Sequence, residues 1–94
     1  MELSSVTVEA MTSLVGETFT VPHFDLELEL VDVDDMSGDT GNGRPFSMLF
    51  EGPTDRILEQ ASWPLQIQDD VIELFLVALG PQPSGRFGYE AIFS

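Results

Sequence analysis

The chain has 94 residues, a length that suits one domain. Seventeen acidic residues face three arginines and no lysine, so the formal net charge is −14. A surface this acidic repels phosphate backbones and anionic headgroups, which excludes direct binding to nucleic acids and to membrane surfaces. The chain has no cysteine, so disulfides and thiolate metal sites are excluded as well.

The N-terminal segment has neither a basic n-region nor an apolar h-region, so no secretory signal peptide is predicted. The most apolar run spans about ten residues, whereas a membrane-spanning helix needs ~20, and no membrane insertion is expected. We therefore expect a cytoplasmic protein, or one that is exported without a signal peptide as part of a fibre assembly.

Apolar residues at helical spacing predict one short helix over residues 7–14. Val8, Met11 and Leu14 lie on one stripe, and Gly16 follows at the position where a helix C′ glycine is common. A helix this short is marginal alone, so its stripe is expected to pack against the core.

Alternation of apolar and polar residues predicts six strands, over residues 17–21, 24–34, 45–51, 62–68, 71–79 and 86–93. In the second strand the apolar phase slips at Val31, which predicts a β-bulge or a bend. No strand–helix–strand alternation occurs, so a parallel sheet is excluded. The fold class is mainly β: a six-stranded antiparallel meander that forms a small barrel or a two-sheet sandwich. The barrel is preferred, because closure removes sheet edges and accounts for the bulge.

The strand over 71–79 is the organising element of the predicted core. Val71, Phe75 and Val77 fall on one side of it, and Ile72 and Leu74 begin an apolar series on the other. Both sides are therefore expected to be covered. A hairpin with the last strand is the best-supported pairing.

Carboxylates are dense near the loop that follows the second strand, and oxygen ligands of this kind suit calcium: Asp32, Asp34, Asp35 and Asp39. The order required by an EF-hand loop fails, because Met36 takes a ligand place and Ser37 takes the glycine place. A solvated acidic turn is the favoured interpretation, and no cofactor is expected.

No catalytic residues are predicted. His23 is the only histidine, and it has no cysteine or second histidine with which to bind zinc. Neither a Gly-x-Ser-x-Gly nucleophile motif nor a phosphate-binding glycine loop occurs. The chain is therefore not expected to be an enzyme.

Aromatic residues and arginines are frequent anchors of protein interfaces. Trp63 precedes a proline on a strand that reads as an edge, and most other rings are expected in the core. The residues considered for partner binding are Trp63, Arg44, Phe46 and Arg86.

Segments 14–19, 44–53, 73–81 and 89–93 carry a resemblance that extends over nearly the whole chain, and the Arg-Pro-Phe-Ser block with Gly-Pro is its most specific part. In these segments the chain resembles a family of short bacterial proteins of unknown function. Genes of that family often lie beside those for phage-tail-collar and microcystin-dependent-type fibre proteins. The resemblance implies a small accessory or structural component of a tail-like fibre system, and it implies no catalytic residues.

Three functions follow from these observations. The first is a non-catalytic interaction module that binds a protein partner, such as a tail-collar-type fibre subunit, with a homo-oligomer also possible. The second is a small β-barrel that carries an apolar ligand, although six strands usually leave interior space for side chains alone. The third, a hydrolase or a metal protein, requires several carboxylates to converge.

Overall fold

Six antiparallel strands close into a barrel, and one short helix precedes them. The computed structural model of the chain describes residues 8–22, 24–35 and 46–93. The predicted fold class is confirmed. The elements are α1 (Val8–Thr12), β1 (Thr18–Val21), β2 (Leu26–Asp35), β3 (Phe46–Gly52), β4 (Ala61–Ile67), β5 (Asp70–Pro81) and β6 (Phe87–Phe93).

The strands follow the order β1-β2-β3-β6-β5-β4 around the barrel. The chain thus forms two three-stranded meanders, β1–β2–β3 and β4–β5–β6. A long β3–β6 ladder joins them on one side, and the pairing of Thr20 with Gln66 joins β1 to β4 on the other. The predicted meander therefore describes each half of the chain but not all six strands, because residues 53–60 carry the chain across the barrel from β3 to β4.

The two longest strands each change partner along their length. β2 pairs first with β1 and then with β3, and its register shifts between Leu30 and Asp32. β5 pairs first with β4 and then with β6, and its register shifts between Ala78 and Gly80. A bulge bends its strand, so each long strand can turn a corner of the barrel. The bulge predicted from the phase slip at Val31 is confirmed.

The barrel interior is filled by inward-pointing side chains. The rings of Phe19 and Phe50 meet edge to face, with their centroids 5.4 Å apart. Every strand contributes at least one fully buried residue; prominent ones are Phe19, Leu28, Met48, Phe50, Leu65, Leu76 and Tyr89. Aromatic pairs of this geometry add to the stability that comes from the buried area itself.

The helix α1 packs against β2 and buries Met11 completely. It ends at Thr12, earlier than the predicted 7–14, because the following turns tighten to a three-residue spacing, as in the bond from the Leu14 N–H to the Met11 carbonyl (2.9 Å). The segment then bonds to β2: the Gly16 N–H donates to the Leu30 carbonyl at 2.7 Å. Gly16 has a φ of 95°, a conformation that glycine adopts without strain.

The segment 53–60 covers part of the barrel through Leu58, which is 3% exposed. The backbone N–H of Leu58 donates to the hydroxyl of Tyr89, at 2.9 Å, in a buried position. Burial raises the pKa of the Tyr89 hydroxyl above its usual value, and the hydrogen bond from Leu58 opposes this in part. The Tyr89 hydroxyl therefore fixes the crossing segment to β6.

Two buried glycines lie where the chain packs closely. A Cβ atom at Gly52 would stand 2.6 Å from Cδ2 of Leu28, which is a core side chain. A Cβ atom at Gly88 would stand 2.7 Å from side-chain atoms of Gln82, which is half-buried and has more freedom to move. Gly52 therefore allows β3 to approach the core side chain of β2.

Candidate functional site

The outer side of β5 carries large apolar side chains that the described chain leaves open. Val71 and Phe75 are each 51% exposed, and Leu79 is 46% exposed. Ile92 of β6, at 56%, is also exposed. We call Val71, Phe75, Val77, Leu79 and Ile92 the β5 face.

The expectation that both sides of this strand are covered is wrong for the described residues. Ile72, Leu74 and Leu76 point into the barrel and are buried, as expected. The opposite side faces outwards, because a barrel has a single wall and only its inner surface reaches the core. The apolar run of β5 therefore contains more apolar residues than the core uses.

Acidic residues surround the β5 face. Glu73 lies between Val71 and Phe75 on the outer side of the strand, and Glu90 of β6 pairs with Val77. Residues 57–85 contain no arginine or lysine. The face is therefore apolar in its centre and negatively charged around it.

The outer side of β1 and β2 has a different character. The outward-pointing residues of β1 and of the first part of β2 are polar or acidic: Thr18, Thr20, Glu27 and Glu29. Such a surface is satisfied by water and needs no partner. The exterior of the barrel is therefore polarised, with large exposed apolar side chains concentrated on β5 and β6.

Trp63, predicted as a contact residue, is half-buried and packs against the core. Its indole N–H donates to the Glu59 carbonyl at 2.7 Å. Its ring meets that of Phe24 edge to face, with centroids 4.9 Å apart, and Phe24 is itself 45% exposed. The pair is a partly exposed aromatic corner, separate from the outer side of β5.

Arg86, also predicted as a contact residue, is engaged within the chain. Its Nη1 donates to Oε1 of Glu29 at 2.7 Å, and its Nη2 donates to the Glu51 carbonyl at 3.0 Å. Ser84 donates its hydroxyl proton to Oε1 of Glu51 at 2.9 Å. Glu29 and Glu51 lie opposite each other on β2 and β3, so Arg86 offsets the repulsion between two like charges.

The other two predicted contact residues do not join this surface. Phe46 is only 2% exposed, and its ring packs against Phe93 with centroids 5.4 Å apart. We therefore assign Phe46 to the core and leave it out of the contact surface. Arg44 lies outside the described residues.

The carboxylates considered for calcium are not brought together in the described part of the chain. Asp32 and Asp34 are exposed and lie opposite Leu49 and Ser47 of β3. Asp35 pairs with Phe46 at the end of β2, whereas Asp39 and His23 lie outside the described residues. Among residues 8–22, 24–35 and 46–93, no group of three or more His, Cys, Asp or Glu side chains is placed to hold a metal ion.

Two surface clefts lie near the crossing segment 53–60. The larger, of about 530 Å³, is lined mainly by polar and charged side chains, including Arg56, Arg86, Glu27 and Glu29. The smaller, of about 250 Å³, is lined in part by Phe24 and by residues of the crossing segment. Arg56 also donates to the Asp25 carbonyl at 3.0 Å. The larger cleft lacks the largely apolar lining that an apolar ligand requires, and the smaller, although most of its lining residues are apolar, falls below the ~300 Å³ of typical ligand pockets.

These features define a small acidic β-barrel with a filled interior and an exposed apolar strip on one side. The chain matches, over residues 6–93, the family described as Domain of unknown function (DUF6916). It belongs to this family, which confirms the expected membership in a family of short domains of unknown function. No curated protein and no solved structure matches the chain.

No helix in the described part of the chain has the length and apolarity needed to cross a membrane. The β5 face was missed by sequence reasoning, although a signal for it exists. Val71, Glu73 and Phe75 lie at alternate positions, so their side chains point to the same side of the strand. A glutamate between two large apolar residues indicates that this side faces outwards.

Proposed function

We propose that the protein is a non-catalytic interaction module, and that it binds a protein partner through the β5 face. The observation that carries this proposal is the exposure of Val71, Phe75 and Leu79 along one strand, with Ile92 beside them. Single exposed apolar side chains are ordinary on protein surfaces, but a row of large ones is typical of a contact surface.

Phe75 is the natural anchor of this surface. It is the aromatic residue at the centre of the row, and aromatic residues placed centrally in an interface contribute a large share of binding energy. The exposed half of its ring loses contact with water when a partner packs on it. Val71 and Leu79 stand on either side and extend the apolar contact along β5.

The charge of the chain favours a basic partner. Glu73 and Glu90 lie beside the apolar side chains, and the whole chain carries a net charge of −14. Complementary charges raise the rate of association and reject acidic competitors. The attraction is screened by salt, so binding should weaken as the salt concentration rises.

The partner that we propose is a tail-collar-type fibre protein of a bacterial, phage-tail-like assembly. The support for this partner is the sequence resemblance, since genes for proteins of that kind often lie beside genes of the resembled family. In that role the module acts in the cytoplasm, or as part of a fibre assembly that is exported without a signal peptide.

The test is binding of the purified chain to the fibre-like protein encoded beside its gene, at low and at high salt. Three forms of the chain are compared: wild type, Phe75→Ser and Ile57→Ser. Ile57 is the matched control, because it is 54% exposed and lies on the crossing segment, where it lines the smaller cleft with Phe24 and Leu26.

The proposal predicts binding by the wild type and by Ile57→Ser at low salt, with a clear loss for Phe75→Ser and at high salt. Equal binding by Phe75→Ser and wild type would refute the assignment of the β5 face. Absence of binding to any fibre-like neighbour would refute the proposed partner.

A further inference from the structure

The β5 strand has an edge that the rest of the described chain leaves unpaired. From Asp70 to Leu76 its register partners are in β4, and from Val77 to Pro81 they are in β6. The residues of β6 beyond Glu90 pair with β3 alone. In the described part of the chain, residues 71–76 therefore have register partners in β4 alone.

On β2, the segment that precedes β1 lengthens the ladder with β1. There the Gly16 N–H donates to the Leu30 carbonyl, and the Leu30 N–H donates to the Glu17 carbonyl at 3.1 Å. The helix α1 packs beside these bonds. By register, Leu26 to Leu28 of β2 also have partners in β1 alone, but the stretch on β5 is longer and carries exposed apolar side chains.

The open part of β5 has no feature that blocks a further strand. Natural edges are commonly protected by proline or by an inward-pointing charge. β4 has such a proline, Pro64, and pairs with β1 only at Gln66. Residues 71–76 contain no proline, and their inward side chains, Ile72, Leu74 and Leu76, are apolar.

The chemistry around the edge specifies the occupant. Phe75 of β5 and Ile92 of β6 are exposed, and they offer apolar contact to alternate side chains of an added strand. The charged residues nearby are acidic, namely Glu73 and Glu90, with no cation in residues 57–85. An occupant with lysine or arginine beside apolar residues is complementary on both counts.

We propose that an extended segment of a partner protein, with apolar residues alternating with lysine or arginine, adds as a strand to β5 along residues 71–76. This rests on the proposed interaction function and names the mode of binding and the chemistry of the bound segment. In such strand addition, main-chain hydrogen bonds give affinity and alternate side chains give specificity. A second copy of this chain is a poor occupant, because it would bring another −14 charge to an acidic edge.

The experiment uses the purified chain and a short acetylated peptide of alternating lysine and valine. Two control peptides accompany it: the same sequence with alternate amides N-methylated, and a sequence with glutamate in place of lysine. Amide exchange of residues 71–76 is followed by NMR with and without peptide, and affinities are measured for wild type, Phe75→Ser and Ile57→Ser.

The proposal predicts that alternate amides of residues 71–76 exchange rapidly in the free chain and become protected with the lysine peptide. N-methylation should weaken binding about tenfold or more, since it removes main-chain donors. The glutamate peptide should not bind, and Ile57→Ser should bind as the wild type does. Protection of these amides in the free chain would overturn the proposal, because the edge would then already be occupied. Equal binding of the N-methylated peptide, or no binding of the lysine peptide, would overturn it too.

These outcomes are separable from those of the proposed function. If the lysine peptide fails while Phe75→Ser still abolishes binding of the fibre-like protein, the β5 face binds a partner by side-chain contact and strand addition is wrong. If the peptide binds as predicted and no fibre-like protein does, strand addition stands and the partner assignment is wrong.

Discussion

The hydrogen bond between Leu58 and Tyr89 can be tested by a single substitution, Tyr89→Phe. The change removes one oxygen and keeps the ring that fills the barrel. It leaves the Leu58 N–H buried without its acceptor, because Leu58 is only 3% exposed and the bond is 2.9 Å long. A buried donor that loses its partner costs its full desolvation penalty.

That penalty sets the expected size of the effect. We expect Tyr89→Phe to lower the free energy of unfolding by about 1–3 kcal/mol at neutral pH. For a domain of this length, each kcal/mol corresponds to a fall in Tm of about 4–8 °C. Urea unfolding, followed by the fluorescence of Trp63, measures the change directly.

The pH dependence supplies a second readout on the same residue. Tyr89 is the only tyrosine, and the chain has no lysine or cysteine, so near pH 10 it is the one side chain that titrates. Its pKa is raised in the folded state, and the unfolded tyrosine therefore loses its proton first, at about pH 10. The stability of the wild type is then full below about pH 10 and falls as the pH rises towards the folded pKa.

The free energy of unfolding of the Tyr89→Phe variant should not change with pH over this alkaline range. The stabilities of the variant and the wild type should therefore converge as the pH rises. Tyrosinate absorbance in the folded wild type gives the pKa independently. A loss below about 0.5 kcal/mol at neutral pH, together with parallel pH profiles, would refute the argument that the buried hydroxyl fixes the crossing segment.

Three further substitutions test the packing. Met11→Ala should lower the free energy of unfolding by about 2–5 kcal/mol, because it removes the buried anchor of α1. The control Thr12→Ala, at an exposed position, should change it by about 0.5 kcal/mol or less. Urea unfolding measures both variants. Gly52→Ala should lower the free energy of unfolding by about 1–3 kcal/mol, because its added methyl group meets a core side chain. Gly88→Ala should lower it less, because its methyl group meets a glutamine side chain that can move. Equal costs of the two variants in thermal melts would contradict this account. Arg86→Gln should lower the free energy of unfolding by about 1 kcal/mol or less. The loss should shrink as added salt screens the repulsion between Glu29 and Glu51. A loss that does not depend on salt would show that the charges are not its cause.

Much of the fold could be predicted from local patterns. Strict alternation marks the strands, and the slip of phase at Val31 locates a bulge that the register confirms between Leu30 and Asp32. The hairpin of β5 with β6 also follows from a short turn between two alternating segments. These features depend on residues close in sequence, where periodicity carries the information.

The order of the strands could not be predicted in the same way. The pairing of β3 with β6 joins residues far apart in sequence, and no local periodicity specifies it. The position of Phe46 illustrates the same limit: an aromatic residue at the start of a strand suits a rim or a core equally well. Here the neighbouring ring of Phe93, from the other half of the chain, encloses it.

The candidate contact surface was harder still to predict. Trp63 was considered for its chemistry, yet its indole N–H is bonded within the chain. Phe75 was assigned to a covered face because apolar residues on a strand usually indicate core. Which apolar side of β5 faces outwards depends on the closure of the barrel, and that is a global property.

The division of the barrel into two meanders has a consequence for its folding and for its tolerance of chain breaks. Within each half the pairings are local and can form early, whereas the β3–β6 ladder must wait for both halves to be present. Residues 53–60 are the single covalent connection between the halves, and Ile57 within them is exposed. We expect fragments separated near this point to remain open alone and to reassemble into the complete barrel when mixed.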